Sequence, residues 1–150
     1  MAELIQERSG TLTTLESNGA STLDGAFTQA DDAGIDYSNS GAGYYIAANQ
    51  YDPVGRFVLS LTLGSAPGAN AAIALHLRAL DVDSTSDTPA PSANYDVPVG
   101  FFNVPNATGT YNLECFAPQS YKYDAYVSPD GFTLPTGWTL KVAPQKEKSV

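Results

Sequence analysis

GRFVLSLTLG, residues 55–64, sets Phe57, Leu59, Leu61 and Leu63 at every second position, with Val58, Ser60 and Thr62 between them. A period of two is that of a β-strand with one buried face, because successive side chains point to opposite sides of the pleat. The next residues, Ser65 to Asn70, are rich in Pro, Gly and Ala and break the pattern, as a turn does. Beyond them Ile73, Leu75 and Leu77 alternate with Ala72, Ala74, His76 and Arg78. Alanine and leucine favour helices, but the strict alternation directly after a turn decides for a second strand. The two runs form the best hairpin candidate, with Leu61 and Leu75 expected in the core.

Residues 81–96 (DVDSTSDTPAPSANYD) read as a long polar connection. Alternation returns at Val97, Val99 and Phe101, at Tyr111, Leu113 and Cys115, and at Tyr121, Tyr123 and Ala125. The last strand carries Trp138, Leu140 and Val142 and is expected to stop at Pro144. Ten prolines argue against long helices here. Short strands punctuated by Gly, Pro and Asn indicate an all-β fold, a single β-sandwich with jelly-roll-like topology.

The chain divides into an N-terminal strand and arm or loop (1–43), the sandwich (44–144) and a charged C-terminal tail (145–150). Residues 10–16 read as a strand. In residues 17–43 only Leu23, Phe27, Ile35 and Tyr37 are sizeable apolar anchors. The plain reading is a loop over the sandwich with one short added strand. The functional reading is an extended arm that orders on a neighbouring subunit and could be deleted with the sandwich still folded.

Composition excludes some function classes. Seven Lys and Arg against 16 Asp and Glu give a net charge of −9. Asp24, Asp31, Asp32, Asp36 and Asp52 have no base among them, whereas Lys141, Lys146 and Lys148 face only Glu147. Nucleic-acid backbones require clustered Lys and Arg, so no nucleic-acid partner is expected. No apolar run approaches the ~20 residues that cross a bilayer, and residues 1–3 open on no export signal, so no membrane partner is expected.

Candidate chemistry is sparse. His76 is the one histidine, placed on the strand face opposite Ile73 and Leu75 and expected to face solvent or an interface. No GxSxG motif supports a nucleophilic triad around it. Cys115, the one cysteine, fits a buried structural thiol. Asp81, Asp83 and Asp87 alternate as oxygen ligands for Ca²⁺ do, but Ser86 and Ser92 stand where an EF-hand needs Gly and Glu. A looser Ca²⁺ site and a solvated acidic loop are the remaining readings, and no metal or cofactor is expected. Asn106-Ala107-Thr108 matches a glycosylation acceptor by chance composition. Nine tyrosines and one tryptophan suit core packing, protein contact or sugar stacking. In residues 121–126, either Tyr126 or the pair Tyr121 and Tyr123 faces outward.

From residue 55 onward the order of features resembles a family of small structural proteins of tailed-bacteriophage virions. The shared plan is an alternating strand (GRFVLSLTLGS), a Pro/Gly turn, a second strand (AAIALHLRAL) ending in an acidic loop, a Val-Gly-Phe segment (PVGFF), and a closing strand (GWTLKVAP) before a charged tail (QKEKS). Leu23-Asp24-Gly25-Ala26 and Ile35-Asp36-Tyr37 resemble the family's polar N-terminal region. The resemblance implies a non-enzymatic capsid decoration (cement) protein on the virion's capsid surface. Its expected partners are the major capsid protein and itself, as a homo-oligomer with a trimer favoured. Leu23, Phe27, Ile35, Tyr37 and Tyr126 are the candidate partner-contact residues. The alternative is a phage tail or receptor/carbohydrate-binding β-sandwich module.

Overall fold

A computed structural model of the chain describes residues 5–9, 13–32, 35–36, 56–80, 91, 98–116 and 122–149. Among these residues there are ten strands and no helix. The strands are β1 (Ile5–Ser9), β2 (Thr13–Gly19), β3 (Thr28–Gln29), β4 (Ile35–Asp36), β5 (Arg56–Leu63), β6 (Ala71–Leu80), β7 (Gly100–Val104), β8 (Gly109–Phe116), β9 (Lys122–Asp130) and β10 (Trp138–Ser149). They form two antiparallel sheets. The first runs β1-β10-β5-β8, with β2 also on β10; the second runs β3-β9-β6-β7, with β4 also on β9.

The pairs nest. β2 pairs with β10, β3 with β9, β5 with β8 and β6 with β7. Taking those eight strands in chain order, the first pairs with the last, the second with the seventh, and so inward. That is the jelly roll, the two-sheet solution that wraps a folded-over ribbon around one core. The all-β sandwich and its topology are therefore as the period-two runs indicate.

The expected hairpin of residues 57–63 and 73–77 does not form. β5 lies in the first sheet and β6 in the second, so residues 64–70 arch from one sheet to the other. A segment this long does not impose the tight two-residue hairpin turn. The arch instead turns both apolar faces toward each other: Leu59, Leu61, Ile73 and Leu75 are fully buried. Trp138, Leu140 and Val142 of β10, Phe102 and Val104 of β7, and Tyr123, Ala125 and Val127 of β9 complete the core.

Three further corrections concern strand ends. A bend at Val99 precedes β7 and shifts the alternation, so Phe102 points inward and Phe101 is 47% exposed; Val97 lies outside the described residues. β10 does not stop at Pro144 but continues to Ser149, so residues 145–149 are strand rather than tail. Val142 pairs with Thr13 of β2 and Gln145 with Ser9 of β1. Pro144 falls between those two partners on one edge of β10 and pairs with Phe57 of β5 on the other, so the strand runs through it. Finally, Leu15 of β2 and Ala30 after β3 are buried in the core cluster. The described residues of the N-terminal segment therefore fit the loop with added strands, and removing residues 1–43 would open the core.

Trp138 shows how sequence fixes this edge. Its Nε1 donates to the Ala20 carbonyl at 2.9 Å, and its ring lies over Gly19. A Cβ at residue 19 would stand 1.9 Å from the ring, so only glycine lets the tryptophan close the sandwich there.

Candidate functional site

One end of the sandwich carries the loops 20–27, 64–70, 105–108 and 131–137, and hydrogen bonds between loops fix it. Leu23-Asp24-Gly25-Ala26 is a turn closed by Ala26 N–H donating to the Leu23 carbonyl at 3.0 Å. Gly25 has φ +70°, which a type II turn requires at its third position. The turn is then pinned from outside. Gly25 N–H donates to the Pro129 carbonyl (3.0 Å) and Gly131 N–H to Asp24 Oδ1 (2.8 Å). Thr22 and Leu134 exchange both backbone bonds, at 3.0 and 2.8 Å. On the other side Asn106 N–H donates to Asn70 Oδ1 (3.0 Å) and Gly68 N–H to Asn106 Oδ1 (2.9 Å). Asn106, noted in the sequence for its glycosylation pattern, is thus a clasp between two loops.

Leu23 emerges from this fixed end 67% exposed. The four loops contain no Lys, Arg or His; Asp24 supplies their charge, and Asp130 borders them at the end of β9.

The other candidate contacts fare differently. Phe27 is half-buried, its ring meeting His76 edge-on with centroids 4.9 Å apart at 77°. Tyr126 sits on the outer face of β9, directly opposite His76, yet is 6% exposed. Its hydroxyl donates to Gln29 Oε1 (3.1 Å) and receives Arg78 Nη1 (3.3 Å). Ile35 pairs with Tyr123. Tyr37, together with Asp81, Asp83 and Asp87, lies outside the described residues. The expectation that His76 faces solvent or an interface is corrected: it is on the outer face, but 4% exposed. Phe27, delivered by the loop before β3, covers it.

Below these residues Arg78 stands opposite Asp124. Burial holds the Asp124 carboxyl above its usual range, and Arg78 offsets only part of that effect. On the first sheet burial pushes the Cys115 thiol up to about 12, with the Glu114 carboxylate adding to the rise. A thiol held protonated is no nucleophile.

Sequence reasoning missed one acidic group. Carboxylate oxygens of Glu16, Asp31 and Asp32 lie within 4.8 Å of one another, the geometry that could share a hard cation. Their surroundings explain them without one. Glu16 accepts from the Asn18 N–H (2.9 Å) and the Asp31 N–H (3.3 Å), and Asp32 Oδ2 accepts from the Ser17 N–H (2.7 Å) and its hydroxyl. The group ties the end of β2 to the chain leaving β3. Nothing in the spacing of residue 16 from 31 announces that meeting; it follows the pairing of β2 with β10 and of β3 with β9. No helix among the described residues is long and apolar enough to cross a membrane.

No protein-family model matches the chain and no curated protein is significantly similar to it, so any functional reading rests on its own residues.

Proposed function

We propose that the chain is a non-enzymatic structural protein of a tailed-bacteriophage virion, a decoration protein that binds the capsid exterior and staples neighbouring capsomers. The observation that carries this reading is Leu23, held 67% exposed on a turn that the chain at Pro129 and Gly131 pins. A hydrophobic side chain offered to water costs solvation free energy, and a rigid frame removes the ordering cost of using it in a contact. An acidic surround suits a basic rim on the shell, which the major capsid protein would provide. Homo-oligomerisation, with a trimer favoured, would present several such turns to the shell at high effective concentration.

Shells stripped of the protein provide the test. The purified full chain should co-sediment with them and raise their resistance to heat. Leu23→Asp should abolish co-sedimentation while leaving the thermal unfolding of the free protein unchanged. Absence of any affinity of the full chain for stripped shells would end the capsid reading.

A further inference from the structure

The outer face of the second sheet holds a depression that no part of the capsid reading uses. Ala72 of β6 lies opposite Asn103 of β7 on one side and Asp130 of β9 on the other. The next row on the same face is Phe101, Ala74 and Ser128. Opposed residues on antiparallel strands keep their Cβ atoms about 4.5–5.5 Å apart, so Ala72 floors a trough roughly 10 Å wide between Asn103 and Asp130, and Ala74 and Ser128, both buried, close it on the next row. An open cleft of about 570 Å³ stands over the first row, with Asn70 and Pro105 at its end. Phe101 is 47% exposed beside it. Among the described residues, no hydrogen bond engages the side chains of Asn103 or Asp130.

We infer that this trough binds a saccharide, one pyranose ring lying over Ala72 with Phe101 beside it. The ring's C–H face packs on Phe101, as apolar surface does on an aromatic ring. Its hydroxyls donate to the Asp130 carboxylate and exchange hydrogen bonds with the Asn103 amide, which offers both a donor and an acceptor. Other ligand classes fit less well. A single carboxylate is far short of the six to eight oxygens Ca²⁺ takes. A phosphate backbone finds no Lys or Arg in the walls. A flat apolar ligand would bury the Asp130 charge unpaired. The inference is independent of shell binding, since it uses another surface and other residues.

The test titrates the full-length, ¹⁵N-labelled protein with the methyl α- and β-pyranosides of glucose, galactose, mannose and N-acetylglucosamine. At least one should shift the amides of Ala72, Asn103 and Asp130 saturably, with the weak affinity of a single sugar. Ala72→Leu, which fills the floor, should abolish these shifts. Phe101→Ala should weaken binding about tenfold, a change of about 1.4 kcal/mol, and Asn103→Ala should weaken it without relying on the same strand position. Leu23→Asp should leave it intact. The inference is overturned by no saturable shift at these residues with any glycoside, or by affinity that survives both Ala72→Leu and Asn103→Ala. Co-sedimentation with shells, measured on the same variants, fails or succeeds separately.

Discussion

The two sheets of this jelly roll bury similar inner faces and build different outer ones. On the first sheet the central outer positions of β5 are Ser60 and Thr62, with Lys141 of β10 opposite Ser60. Thr62 meets Thr110 across the β5–β8 pair at 2.9 Å, a ladder of hydroxyls at the surface. On the second sheet two of the outer positions are long, His76 and Tyr126, yet both are buried. Phe27 and Gln29 reach over them from the β3 edge. A sheet can place large polar side chains on its outer face at little cost when an adjoining segment both covers them and answers their hydrogen bonds.

Mutations that test the equality of the inner faces have the largest effects. Trp138→Ala should cost about 3–5 kcal/mol in urea unfolding followed by circular dichroism, and Leu61→Ala and Leu75→Ala about 2–5 kcal/mol each. The two leucines occupy matching core positions on opposite sheets, so a loss below ~1 kcal/mol at one of them alone would show that the sheets do not share the core evenly.

Titration separates the sheets next. Cys115, on the first sheet, has a folded-state pKa of about 12 against an ordinary 9.0. The folded protein therefore holds this proton more tightly than the unfolded chain. The associated stability is present below pH 9.0 and is lost as pH rises from there toward 12. Cys115→Ala should flatten that alkaline decline. Asp124, on the second sheet, is also raised. Its stabilising contribution is present at acid pH and fades as pH rises through its folded-state pKa, so Asp124→Asn should change the acid limb of the stability curve and leave the alkaline limb alone. An alkaline limb unmoved by Cys115→Ala would contradict the burial of that thiol.

The outer faces give the smaller effects. Tyr126→Phe removes one hydroxyl that both gives and receives a hydrogen bond, and should cost about 1 kcal/mol. Thr62→Ala, on the exposed ladder of the first sheet, should stay within about 0.5 kcal/mol. Equal losses at the two positions would erase the distinction between a covered and an open outer face.

Part of this contrast is legible in the chain. Ser60 and Thr62 between the leucines of β5 announce a polar outer side, though Ser60 is itself buried. Period two likewise puts Ala72, Ala74 and His76 on the outer side of β6, but it does not show the cover that Phe27 brings to His76 from the chain before β3. Which inner residues meet was also legible, since Leu59, Leu61, Ile73 and Leu75 follow period two. What was not legible is pairing at a distance. Whether residues 64–70 close a hairpin or arch between sheets depends on β8 and β10 claiming the edges of β5, and β7 and β9 those of β6, and no local pattern encodes that choice. The trough shares this origin: Asn103, Ala72 and Asp130 are far apart in sequence and align only through two registers. Leu23 was singled out as an apolar anchor, but its exposure follows from the clasp between Asp24 and Gly131, which lie 107 positions apart.

The pairing of β1 with β10 has a mechanical consequence. Ile5 lies opposite Ser149 and Ser9 opposite Gln145, so tension applied between residues 5 and 149 would peel the two strands apart one pair at a time, like a zipper. Tension between the Leu23 end and residue 149 runs instead along the length of β10. It shears that strand against β5 and β2 together, and all of their bonds, which lie across the strands, share the load at once. A molecule gripped at its loop end and pulled through residue 149 is therefore far tougher than the same molecule pulled from residues 5 and 149, and the direction of loading, rather than the count of bonds, sets its resistance to being torn open.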